Sequence, residues 1–144
     1  MAYQWLEMRI SEERDRRQRE ATVQECLPQA LDELHRCLAE CVQAYAGAFG
    51  ADSADLQFYG SRIRIIIRDL QGGRWVERAK VDISLELDVP GFQIQRGEDS
   101  IVIEVGVLGT DKWFYRDRES DQYLTMEEMT RRVLDRSFFP KLEA

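Results

Sequence analysis

SRIRIIIRDLQGGRWVERAKVDISLELDV, residues 61–89, changes the rhythm of the chain. Upstream, apolar residues recur every three or four positions. Here they recur every two. Ile63, Ile65 and Ile67 share one side of an extended chain, and Arg62, Arg64, Ile66 and Arg68 take the other. After the turn, Val81, Ile83, Leu85, Leu87 and Val89 alternate with Lys80, Asp82, Ser84, Glu86 and Asp88. The link Gln71-Gly72-Gly73-Arg74 carries the glycine pair of a tight turn. The two runs therefore read as an antiparallel hairpin with one buried face. The outer faces carry arginines on one strand and mostly acids on the other, so cross-strand ion pairs are expected. That reading makes the arginine stripe structural, not an anion site.

Further strands follow. Pro90-Gly91 marks a turn, then a short strand is expected around Phe92 to Gln95. RGEDS (96–100) turns the chain, and Ile101, Ile103, Val105 and Val107 line one face of the next strand. GTDK (109–112) turns it again. WFYR (113–116) suits a fifth strand, since aromatics favour pleated surfaces. A helix is expected from Met126 to Ser137, with Met126, Met129, Val133 and Leu134 on one side and Pro140 ending it. Upstream, Val23, Leu27, Leu31, Leu34, Leu38, Cys41, Tyr45 and Phe49 form one apolar stripe of helical period. Pro28 should kink that helix or start a fresh one, and Gly47 and Gly50 should stop it. GADSAD (50–55) reads as a loop.

The order is long helix, four or five meandering strands, helix. Short connections favour an antiparallel sheet. Helices over one face give an α+β two-layer sandwich. The hairpin isoleucines with Val81, Ile83, Leu85, Ile101, Ile103 and Val105 should share its buried face, because a one-residue slip would expose a whole set. The expected organisation is a charged helical extension, residues 1–22, ahead of a single α+β domain, residues 23–144. The extension holds five acids and five bases. Glu12 to Arg16, Glu13 to Arg17 and Asp15 to Arg19 have the favourable four-residue spacing of helical ion pairs.

The chain has 144 residues, 44% hydrophobic and 33% charged, which suits one domain with a real core. Net charge is −7, so nucleic acid is not the expected partner, because that affinity rests on neutralising phosphates. The longest aliphatic run is Ile65-Ile66-Ile67, far short of a membrane span. The first residues lack the basic-then-apolar order of a signal peptide. Cys26, Cys37 and Cys41 are an odd set without a paired metal spacing, expected as free thiols. The cytoplasm is therefore the expected compartment. The lone histidine, His35, sits beside the helical stripe as a boundary residue.

One stretch has a metal-like pattern. DRESDQYLTMEE (117–128) resembles the twelve-residue calcium loop of the EF-hand family. The resemblance implies carboxylate ligands at Asp117, Glu119, Asp121 and Glu128, the Tyr123 carbonyl, and a water on Thr125. Gln122 stands where the family has glycine, and GVLGTDKWFYR ahead of it lacks the pattern of an entering helix. The same residues fit a capping box, Thr125-Met126-Glu127-Glu128, at the start of the last helix. The capped helix is the expected outcome, with no metal and no cofactor.

Among short motifs, G-x-S-x-G, the P-loop and G-x-G-x-x-G are missing. The reading is a non-enzymatic protein-interaction domain, adaptor or chaperone-like, whose partner is another protein or a second copy. Trp5, Leu6, Phe138, Phe139 and Leu142, near the two ends, are the candidate partner surface. Small size, acidity and an amphipathic last helix are similar to type III secretion chaperones. That family inserts a helix between its third and fourth strands, and this strand order does not. The alternative is a small-molecule binder or enzyme with a pocket between helix and curved sheet, lined by Trp75, Trp113 and Tyr115.

Overall fold

The computed structural model describes residues 3–86, 88, 90–108 and 112–142. The expected positions Leu87 and Val89, and most of the 109–112 turn, lie outside the described residues. Helix α1 runs Gln4–Phe49. Seven strands follow: β1 Ala54–Tyr59, β2 Arg62–Gln71, β3 Arg74–Glu86, β4 Gly91–Arg96, β5 Asp99–Val107, β6 Trp113–Asp117 and β7 Gln122–Leu124. Helix α2, Met126–Phe138, closes the chain. The strands form one antiparallel sheet in sequence order. Among the described residues no helix is long and apolar enough to cross a membrane.

The central hairpin forms as its pattern requires. Gln71 faces Arg74 across a two-residue turn. Gly72 and Gly73 both take positive φ, 58° and 78°, which only glycine adopts freely. Ile63, Ile65, Ile67, Val81, Ile83, Ile101, Ile103 and Val105 are all buried. Leu85, near the end of β3, is half-buried and packs at the edge of that core. Phe92 and Ile94 extend the same face. Leu27, Leu31, Leu34 and Leu38 of α1 and Met129, Val133 and Leu134 of α2 cover it. The opposite face is open and polar, with Arg64 on Asp82 at 2.8 Å. Arg68 turns instead to Asp55 of β1, at 3.9 Å.

Two strands were not expected. β1 starts inside the supposed loop, and its burial falls steadily from Ala54 to Tyr59 without alternation. β7 has three residues, too few to show a period. Both are sheet edges, where only one side is packed. Pro28 also departs from expectation, because α1 continues through it. Proline removes the partner of the Gln24 carbonyl. Gln24 and Pro28 are both exposed, so water can satisfy that oxygen, while Cys26, Leu27, Ala30 and Leu31 hold the helix to the sheet on either side.

Burial in α1 begins at Val23. The helix before it projects by about 30 Å at 1.5 Å per residue. Its charges pair along the helix: Glu13 with Arg16 at 2.7 Å and Arg17 at 3.1 Å, and Arg16 with Glu20 at 2.7 Å. Arg16 thus takes Glu13 and Glu20, not the expected Glu12. The two guanidiniums hold the Glu13 carboxyl down at about 2.

A one-residue bulge fixes how the helices sit. Ile67 faces Ala79, but the next residue, Arg68, faces Glu77. Arg78 is left over and turns to the helical side. Its Nε donates to Asp69 at 3.0 Å, and its terminal nitrogens donate to the Ser137 carbonyl at 2.6 Å, the Phe138 carbonyl at 3.3 Å and the Tyr45 hydroxyl at 3.1 Å. One guanidinium joins the sheet, α1 and the C-terminal end of α2, where cations are favoured. Replacing Arg78 by Met keeps much of the stem but leaves two helix-end carbonyls without this donor. Arg78→Met should cost roughly 2–3 kcal/mol in urea unfolding, the usual scale for charged hydrogen bonds. A change below about 0.5 kcal/mol, the level of an ordinary surface substitution, would show the bulge contact to be incidental.

Candidate functional site

The metal-like stretch is built from β6, a tight turn, β7 and the first turn of α2. Asp117 ends β6 and is buried. Its Oδ2 accepts from Arg132 of α2 at 2.5 Å. Its Oδ1 accepts the Glu119 backbone N–H at 2.9 Å, folding the turn back on itself. Asp121 takes a positive φ of 58° and its carboxylate pairs with Arg116. Arg116 also pairs with Glu104 of β5. Glu119 is exposed. Glu128 belongs to α2: its backbone N–H donates to Thr125 Oγ1 at 3.2 Å, and its carboxylate accepts from Thr125. The capping box is complete.

Asp117, Asp121 and Glu128 therefore each have a partner within the chain, and a strand enters the loop where the EF-hand family has a helix. Among the described residues no three His, Cys, Asp or Glu side chains group as a metal site. Arg132 is the residue that sequence reading missed. It lies fifteen positions from Asp117, and no local pattern joins a helix arginine to a strand end.

The aromatic residues proposed as pocket lining do not converge. Trp113 Nε1 donates to the Tyr115 hydroxyl at 2.7 Å on β6. Burial, against that bond, pushes the Tyr115 hydroxyl well above its ordinary value. Trp75 sits at the β2–β3 turn against Gly50, and β3 and β6 are three strand spacings apart, about 14 Å. The space between helices and sheet is filled by Leu27, Leu34, Leu38, Phe92 and Met129, all fully buried. A groove of about 740 Å³ lies outside the core between β4–β5, the Asp117 turn and α2. It mixes Arg96, Arg131, Arg132 and Arg136 with Asp99, Asp117, Glu119 and Asp135, four charges of each sign.

The candidate partner surface divides. Phe138 is buried and stacks on Tyr45 with ring centres 4.3 Å apart, so it belongs to the core and not to a free surface. Amphipathic spacing alone did not show that α2 ends against α1. Phe139 is partly exposed beside the same tyrosine, and Leu142 is exposed. Trp5 is 65% exposed and Met8 60%, with Tyr3, Leu6 and Ile10 also open. These five exposed residues crowd two turns at the start of α1, well ahead of Val23, its first buried residue.

The remaining polar side chains are ordinary in their setting. His35 is half-buried, its ring tilted against Phe58 with centres 4.3 Å apart. The cysteines are free thiols. Burial pushes the Cys41 thiol up, which makes it a poor nucleophile. Comparison of the chain with protein-family models, curated proteins and solved structures finds no match.

The capping box and a calcium loop respond differently to mutation. Thr125→Ala should cost about 0.5–2 kcal/mol, the usual loss for an N-cap. Glu128→Gln should cost much less, because glutamine also completes the box. Thermal melts of both variants and the parent, with calcium and with chelator, check this. A calcium-dependent rise in Tm that Glu128→Gln abolishes would instead identify a metal loop.

Proposed function

We propose that the protein is an interaction module, adaptor or chaperone-like, which docks another protein through the free N-terminal end of α1. In this reading residues 1–22 are the docking arm and residues 23–144 are the body that displays it. One observation carries the reading. Trp5, Met8, Leu6 and Ile10 are exposed together on a helix end that holds no buried residue before Val23. A large aromatic surface held in water is unfavourable, and clustered exposed apolar residues mark contact sites. Tyr3, Leu6 and Ile10 lie on one side of the helix, with Trp5 and Met8 towards the other, so the end is apolar over a wide arc. A groove that wraps a helix suits it better than a flat surface.

The ion pairs from Arg9 to Glu20 support the same reading. They keep the linking turns helical and neutral without burial, so the apolar end stands clear of the body. A cytoplasmic setting accompanies this proposal, supported by the three unpaired thiols.

A photo-crosslinking amino acid placed at position 5 of the full chain, in its native host, tests the docking arm. It should join the chain to a discrete protein that the same reagent at the exposed Gln71 does not reach. Equal labelling at the two positions, or none at position 5, would overturn the proposal.

A further inference from the structure

We infer that β1 is a self-pairing edge, along which two copies of the chain join into one continuous antiparallel sheet. The inference does not rest on the docking arm. The two ends of the sheet are built differently. β7 has three residues and is too short to template another strand. β1 has six residues, and all six pair with β2 without a shift. Natural edges are usually guarded by charges, above all lysine, by proline, a bulge, a cover or brevity. β1, with the sequence ADLQFY, has one charge, Asp55, and no lysine, proline or bulge. Among the described residues β2 is its only strand neighbour.

The side chains of β1 select a second copy as the occupant. Ala54, Leu56 and Phe58 lie opposite Ile67, Ile65 and Ile63, so they share the helix-covered face. Asp55, Gln57 and Tyr59 share the open face. An antiparallel copy that keeps both sets of helices on one side must meet β1 with like faces matched. A two-fold axis through Leu56 does this. It sets Leu56 against its own copy and Ala54 against Phe58 in both directions, so each large ring meets a small neighbour. On the open face it sets Asp55 against Gln57, again in both directions. No like charges are opposed, and each carboxylate gains an amide donor.

The flank of α1 beside this edge is open and mixed. Ala39, Val42 and Ala46 border a groove of about 390 Å³ with Ala54 and Leu56, and His35 and Gln43 add polar groups to it. Small side chains there leave space for α1 of the second copy to approach. Phe58, 38% exposed, is covered in the pairing.

Substitution at the exposed Gln57 tests the edge and its register together. Within one chain Gln57 faces Arg64, so a glutamate there meets an opposite charge and a lysine a like one. Across the proposed two-fold the order reverses, because Gln57 meets Asp55. Sedimentation equilibrium of the full chain should give a dimer. Gln57→Glu should raise its Kd roughly twofold to thirtyfold, two symmetric contacts each contributing a cross-strand increment. Gln57→Lys should lower Kd by a similar factor. A monomeric chain would overturn the inference, and so would a dimer that ignores both variants or shifts the same way with both. A dimer abolished by Trp5→Glu with Met8→Glu yet indifferent to Gln57 would place the contact on the α1 arm and also overturn it.

Discussion

The guanidinium of Arg78 is where the sheet and both helices meet. A sheet with one apolar face needs a cover, and here the two covering helices lie at opposite ends of the chain. Hydrophobic contact alone is non-directional and would let them slide. Arg78 supplies direction. It has been brought to the helical side by a bulge, is only 20% exposed, and spends four hydrogen bonds on three elements. A partly buried charge is costly when its donors are unmet. Here nearly all are met, and two of the acceptors are carbonyls that the end of α2 would otherwise leave open.

A second tether works at the middle of α2. Asp117, buried at the end of β6, accepts from Arg132 and from the backbone of its own turn. The Arg132 carbonyl in turn accepts from Arg96 of β4 at 2.6 Å. With the capping box at its start and Arg78 at its finish, α2 is held at its beginning, middle and end. The acidic loop thus has a structural explanation for its composition. Asp117, Asp121 and Glu128 serve the turn, the helix start and two arginines.

That saturation gives the α1 arm and the β1 edge their meaning. Across the body, Arg78, Asp117 and Arg132 find partners, and the isoleucines of the hairpin and the leucines of α1 find the core. In the arm the charges are paired along the helix, but Trp5 and Met8 have nothing to pack on. In β1 the side chains are half-packed and one side of the backbone faces outward. Both are places where apolar side chains or backbone groups have no neighbour in the fold.

The sequence by itself determined the class of fold. Period-two alternation in the hairpin, helical period from Val23 to Phe49, the Gly72-Gly73 turn and the Thr125–Glu128 box are all local. Each depends on residues a few positions apart, so each is legible without coordinates. Only the tertiary structure decided the rest. β1 alternates in sequence but its burial fades along the sheet edge, β7 has three residues, too few to show a period, and Pro28 is tolerated because the helix is held on both sides of it. Phe138 is core because α2 happens to end on Tyr45. The partners of Arg78 lie 9, 33, 59 and 60 positions away, and Arg132 lies 15 from Asp117. No periodicity connects residues at such separations. Their pairing follows from how the packed layers bring distant segments together, which is a property of the whole fold and not of any stretch within it.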